Sequence, residues 1–256
     1  MFTPQGPTLR ELAVQALSSV ERGYDLLAPK FDHTPFRTPD SILDAVGRAL
    51  RPMGPFDAGL DLCCGTGAGM DVLGTLCRES VTGVDISAGM LAVGRGRLGG
   101  AGPSSTAAPP PRPRVTWVRG DARALPFGPA FDLVVSFGAF GHFLPGELPG
   151  LFAQVHSVLR PGGRFAFPIT APPRPSSPWY WALLGFDALM RVRNALWRPP
   201  FVMYYRAFRL GDVRRELTWA GFEVDLHALP EFGYRRDGSP RCRMVVARVP
   251  SAGRSR

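Results

Sequence analysis

Long apolar runs are missing from this chain. No stretch of about 18 uncharged apolar residues exists to cross a bilayer, and the opening MFTPQGPTLR has no apolar core of a signal peptide. The sequence therefore predicts a cytoplasmic protein without stable membrane insertion. Lysine is nearly absent as well: Lys30 stands alone, so the formal net charge of +9 is carried by arginine. Those arginines are spread from Arg10 to Arg256 and form no dense run, as on a solvated surface, which argues against nucleic acid as a partner. Cysteine is scarce: Cys63, Cys64, Cys77 and Cys242 contain no C-x-x-C pair, which excludes the common metal and redox spacings and fits a reduced compartment. Cys63 and Cys64, adjacent on an apolar run, read as small core hydrophobes.

What is present is an ordinary globular composition, 45% hydrophobic over 256 residues, enough for one well-buried core. Thr8 and Glu11 have capping-box spacing before a helix predicted over residues 9–22. Thr38 as N-cap and Pro39 at the first helical position open a second helix, which Pro52 stops. From Ala58 to Ala171 apolar runs alternate with helical segments, namely GLDLC, VTGVDI, VTWVRG, FDLVVSF and RFAFPI. Such runs, each separated by a crossover, predict an α/β fold with a doubly wound, mostly parallel sheet. Residues 99–114 read as a loop that buries nothing. A helix near Gly211–Ala220 leads to two last strands paired like a hairpin, one of them antiparallel to the rest.

Motifs sit at the strand ends. Asp61-Leu-Cys-Cys-Gly65-Thr-Gly67-Ala-Gly69 follows the first strand, where glycine permits positive φ and lets backbone amides approach a ligand at a helix N-terminus. A dinucleotide fingerprint would need glycine at position 70, which is Met70. Asp85, twenty positions after Gly65, suits ribose hydroxyls. Asp121-Ala122 follows the third strand, Phe131-Asp132-Leu133-Val134-Val135 forms the fourth, and Leu159-Arg160-Pro161-Gly162-Gly163 precedes the fifth.

In the order and spacing of these motifs the chain resembles the class I methyltransferases of the broad small-molecule type, closely over residues 55–171 and loosely beyond. The resemblance implies a Rossmann-like fold and S-adenosylmethionine as cofactor. Asp61 would help place its methionine part, Gly65 and Gly67 would face its backbone, and Asp85 would hold the ribose. Ile86 and Met90 would flank adenine, Asp121 with the Ala122 amide would read its amino edge, and Phe137 would lie near the sulfonium. Tyr24, Phe31 and Arg37 belong to a segment that closes over the cofactor in similar proteins. Arg37 either meets the methionine carboxylate or is a surface arginine. His142 is either a general base or a histidine fixing its loop. The Asn/Asp-Pro-Pro-aromatic tetrapeptide of base and amide methylation is lacking, so the expected acceptor is a small molecule with an oxygen, sulfur, carbon or alkylamine nucleophile. A non-catalytic S-adenosylmethionine-binding regulator is the alternative.

One domain is expected: a helical cap over 1–50, a cofactor-binding core over 55–171, a lid over 171–210 and a closing helix and strands over 211–250. In the lid, Asp187, Arg191, Asn194 and Arg198 make one polar stripe on a helix otherwise apolar. Its aromatic face, with Trp181 and Phe186, is expected over the acceptor pocket, with a second subunit or interfacial membrane association as other uses. The motifs leave the oligomeric state open.

Overall fold

Local signals set the first helices. In the computed structural model, which describes residues 5–99, 112–204 and 208–251, the Thr8 amide donates to Glu11 Oε2 at 2.6 Å and the Glu11 amide to Thr8 Oγ1 at 3.2 Å. This capping box starts α1 (Leu9–Leu17). The single helix expected to residue 22 is two: Ser18 is extended, and Ser19 Oγ accepts from the Arg22 amide at 3.2 Å to cap α2 (Val20–Leu27). The next helix, α3 (Asp40–Leu50), has Pro39 rather than Thr38 at its N-cap, because the proline is itself extended there. Residues 100–111, most of the loop read at 99–114, lie outside the described residues.

The described strands are β1 (Phe56–Leu62), β2 (Cys77–Asp85), β3 (Arg114–Arg119), β4 (Phe131–Val135), β5 (Leu159–Thr170), β6 (Glu223–Ala228) and β7 (Cys242–Arg248). They form one sheet in the order β3-β2-β1-β4-β5-β7-β6. The strands from β3 to β5 along that order are parallel, and β7 inserts antiparallel between β5 and β6. This is the Rossmann-like, doubly wound arrangement. The Leu159–Gly163 motif, expected before the fifth strand, lies inside β5: Leu159 pairs with Phe131, and the register shifts before Leu133 pairs with Arg164.

Apolar residues leave both faces of the sheet, so both are covered. On one face Leu60, Leu62 and Val134 pack with Leu151, Phe152 and Val155 of α6 (Leu148–Val158) and with Val213 and Leu217 of α8 (Leu210–Trp219). On the other, Leu133 and Val135 pack with Val46 and Leu50 of α3 and with Leu73 of α4 (Ala68–Gly74). The chain runs outward from β1 to β3 and then returns to β4 on the other side of β1. That reversal opens a crevice at the carboxyl ends of β1 and β4, the usual ligand position in such sheets.

Trp117 of β3 seals the β1 turn against α5 (Ala88–Gly99). A Cβ on Gly94 would meet Trp117 Cζ3 at 2.7 Å and the Thr66 carbonyl at 2.9 Å. Gly94→Val should therefore cost about 1–3 kcal/mol by overpacking, despite valine's better helix propensity. Urea unfolding of this variant, alone and in a Trp117→Ala background, checks the assignment: the loss should shrink when the ring is gone.

Candidate active site

The turn after β1 is wound by residues with positive φ: Cys63 at 57°, Gly65 at 52° and Gly67 at 90°. It closes through the Gly67 amide on the Cys64 carbonyl at 2.8 Å. Asp85, at the end of β2, accepts the Gly65 amide on Oδ2 and the Ser87 amide on Oδ1, each at 2.8 Å. One carboxylate thus holds two turns, and each of its oxygens retains acceptor capacity. Burial raises the Asp85 pKa, and the Ser87 and Gly65 amides oppose that rise.

Beyond these strand ends lies a cavity of about 470 Å³. Gly65, Asp85, Ile86, Met90, Asp121, Ala122, Phe137 and His142 all line it, as do Tyr24 and Phe31 from the amino-terminal segment. A Cβ on Gly65 would meet only Phe31, at 3.9 Å, so this face of the turn is open.

Three expected residues stand elsewhere. Gly67 caps α4, and its absent Cβ points at Trp117, 2.5 Å away, so the glycine is required by packing and not by a ligand at that atom. Asp61 is buried behind the turn, its carboxylate 2.5 Å from where a Gly69 Cβ would be. Arg37 is bound to Asp40 at 2.8 Å and lies 3.7 Å from Asp32, outside the cavity wall.

Other residues were not legible as site residues. Cys63, read as a core hydrophobe, lines the cavity because its left-handed backbone turns the chain out of the sheet. Burial first, then Asp85 and Asp61, keeps its thiol protonated. Arg123 binds Asp121 at 2.7 Å and Glu147 at 2.7 Å, and this contact lowers the Asp121 pKa. Nothing in the spacing marks Glu147, since it reaches the wall from the start of α6.

His142 has both nitrogens engaged: Nδ1 lies 2.7 Å from the Val202 carbonyl and Nε2 lies 2.8 Å from Tyr24 Oη. A carbonyl only accepts, so Nδ1 carries the proton and Nε2 accepts from the tyrosine. Burial lowers the His142 pKa, against the bond to Val202, and the ring is neutral near pH 7. The amino-terminal helices are latched to both turns. Asp25 Oδ1 accepts Ser87 Oγ at 2.6 Å and the Gly89 amide at 2.8 Å, and Asp32 Oδ1 accepts Thr66 Oγ1 at 2.7 Å.

A second, larger hollow of about 1190 Å³ runs beside the cavity, and Phe36 lines both. Its apolar wall includes Trp179, Leu183 and Phe186 of α7 (Pro178–Leu196) and Phe208, and its rim has Arg174, Arg209, Arg235 and Arg243. Phe186 faces this second hollow and not the first, and Trp181 is exposed to solvent. Half of the polar stripe of α7 turns inward, since Asp187 is buried and Asn194 bonds the Phe201 amide at 2.9 Å, whereas Arg198 and Arg191, whose guanidinium lies 4.7 Å from the Tyr204 ring centre, stay exposed.

Residues 60–163 match the family described as methyltransferase domain. The chain is 34% identical over 138 residues to an uncharacterized methyltransferase of Synechocystis sp., covering 53% of this chain and 57% of that one. It is 38% identical over 114 residues to the demethylmenaquinone methyltransferase of Symbiobacterium thermophilum, covering 43% and 41%. The chain spans about half the length of the curated relatives it matches. Magnesium protoporphyrin IX methyltransferase from Synechocystis PCC 6803, solved with bound SAH, shares the fold with a TM-score of 0.53, at 20% identity over 81% of each chain. Over residues 60–163 the chain is thus similar to a methyltransferase domain, and the curated relatives that it matches over part of their length are methyltransferases.

Asp61 gives the site a pH signature. Its Oδ2 has no hydrogen-bond partner among the described residues, and burial, then the nearby Asp85, raises its pKa well above 3.8. A folded pKa raised above the unfolded one contributes stability that is full below pH 3.8 and is lost as pH rises through the folded value. Asp61→Asn should accordingly gain stability relative to the parent as pH climbs above about 4. Urea unfolding across that range tests this, and a pH-independent difference would remove Asp61 as a source of cost.

Proposed function

We propose that this chain transfers a methyl group from S-adenosylmethionine to a small-molecule acceptor in the 470 Å³ cavity. The observation that carries the reading is the convergence of Gly65, Asp85, Ile86, Met90, Ala122 and Phe137, from the ends of four strands, on one cavity. The residues fit the cofactor. Gly65 leaves the turn open to a close approach. Asp85 keeps acceptor capacity for two hydroxyls, and Ile86 and Met90 offer apolar surface for adenine. Asp121 and the Ala122 amide would meet its amino edge, and Phe137 would adjoin the sulfonium. Asp61 and Gly67 act from behind by shaping the turn, and Arg37 braces the segment that carries Phe31 and Phe36.

Bound S-adenosylmethionine supplies an electrophilic methyl on a sulfonium. The chain's part is to hold an acceptor in line with it and to exclude water. Tyr24 and His142 add a proton path: an acceptor hydroxyl that donates to Tyr24 Oη can pass its proton to His142 Nε2, with the Val202 carbonyl holding Nδ1–H throughout. The apolar walls of the neighbouring hollow support an apolar acceptor, as does the relative that acts on demethylmenaquinone. In this reading residues 1–50 cap one domain and 171–210 close it.

Asp85→Ala should weaken S-adenosylhomocysteine binding by about 2–4 kcal/mol, because charge-assisted bonds to the ribose are lost. Calorimetric titration reads this directly, and unchanged affinity in a folded variant would refute the site. Tyr24→Phe and His142→Gln should lower labelled-methyl transfer into metabolite extract by about 10²–10⁴-fold if the pair moves a proton. Cofactor affinity should hold in both. Transfer unaffected by either change would leave the pair a purely structural tie.

A further inference from the structure

The helix α7 turns a wholly apolar stripe to solvent. Its inward side mixes the buried Asp187 with Met190 and the half-buried Phe186 and Asn194. At about 100° per residue, Trp181, Leu184, Ala188, Val192 and Leu196 fall on one stripe, flanked by Gly185 and Leu189. Every one of them is exposed: Trp181 is 61%, Leu189 65%, Val192 56% and Leu196 80% accessible. No charge interrupts this stripe. The inward side holds buried Asp187, buried Met190 and Asn194, whose amide is committed to the backbone of Phe201. A helix cannot roll to hide the stripe without breaking those bonds and burying nothing in exchange.

Large contiguous apolar faces mark contact with something, and the surroundings of this one say what. Tryptophans stand at both ends, Trp179 at the amino end and Trp197 just past the carboxyl end, each more than half exposed. Indole rings prefer the boundary between water and lipid. Arginines flank the stripe: the exposed Arg191, stacked on Tyr204, and Arg193, held by the Pro199 and Ser18 carbonyls, on its two sides, with exposed Arg174 and Arg198 beyond its ends. None of the four is salt-bridged to a carboxylate among the described residues, and Asp187, the one acidic residue of α7, points inward. No described helix is long and apolar enough to cross a membrane, so the face suits a helix lying flat.

We propose that the outer face of α7 docks on an anionic membrane surface, with its stripe at acyl depth and the exposed Arg174, Arg191 and Arg198 among acidic headgroups. A second copy of the chain fits the charges less well. Apposing two α7 faces would bring arginine flanks against each other with no carboxylate between them. An anionic bilayer supplies that missing charge, and each arginine near it raises the partition coefficient roughly fivefold. The hollow walled by Trp179, Leu183 and Phe186 lies under the same helix and would then open at lipid level. The docking itself requires neither cofactor nor acceptor, so its failure would leave the proposed methyl transfer untouched.

Flotation of the full chain with vesicles of phosphatidylcholine, with and without phosphatidylglycerol, tests the proposal. Binding should appear with phosphatidylglycerol, fall several-fold as salt is raised, and drop at least tenfold in Leu189→Glu/Val192→Glu. Both side chains project into solvent, so the melting temperature of that variant should be unchanged, which keeps a folding failure from imitating the result. Quenching of tryptophan fluorescence by brominated acyl chains should accompany binding of the parent and vanish in the variant. Absence of binding to the anionic vesicles, or equal binding by the variant, overturns the proposal. So does light scattering that shows a dimer dissociated by the same two substitutions, since the second copy would then occupy the face.

Discussion

The Asp85 carboxylate is the constraint on which the site depends. It sits at the end of β2, yet its two oxygens hold the amide of Gly65, after β1, and that of Ser87, before α5. Parallel strands bring their carboxyl ends side by side, and each end leaves amides that the sheet no longer satisfies. A single acidic side chain at that point answers two of them and thereby fixes the spacing of both turns. Burying a charge there is costly, and the raised pKa of Asp85 records the cost. Asp61, one strand away and less well satisfied, shares the same penalty. The buried Asp61 and the half-buried Asp85 thus place two costly carboxylates beside an open cavity.

The amino-terminal helices extend this frame. Asp25 and Asp32 take up Ser87, Gly89 and Thr66 on the same two turns, so the cap is latched to the atoms that Asp85 organises. Tyr24 then reaches over the cavity to His142, and Val202 holds the other side of that ring. The segment after β5 is anchored in turn by Asn194 on Phe201. Polar groups directed inward from α7 hold its apolar face outward, and the same contacts that close the cavity create the exposed stripe.

Much of this was written locally. The capping box at Thr8 and Glu11, the alternation of apolar runs and crossovers, and the glycine turn with an acidic residue twenty positions later each depend on neighbours a few residues apart, or on a period. For that reason the sequence predicts the doubly wound sheet, its antiparallel closing strand and most of the cavity floor, including Ile86, Met90 and Phe137. Where it misleads, a distant partner intervenes. The side of Gly67 that reads as open faces Trp117, fifty positions on, 2.5 Å from where a Cβ would be. Cys63 reads as core because nothing nearby shows that its backbone turns left-handed.

The sequence by itself determined the order of the strands and the identity of the residues at their ends, because periodicity, capping and strand-end motifs are short-range properties. Only the tertiary structure decided which side chains share a cavity, that His142 is neutral and bound to Tyr24, that Arg37 is engaged with Asp40, and which face of α7 meets water. The state of His142 depends on burial and on hydrogen bonds to residues 118 and 60 positions away, while for Arg37 and α7 the partners are near in sequence and only the folded backbone selects them. A helical wheel shows that α7 has two faces, but only the pull of Phe201 and its neighbours on the polar one determines which is left outside.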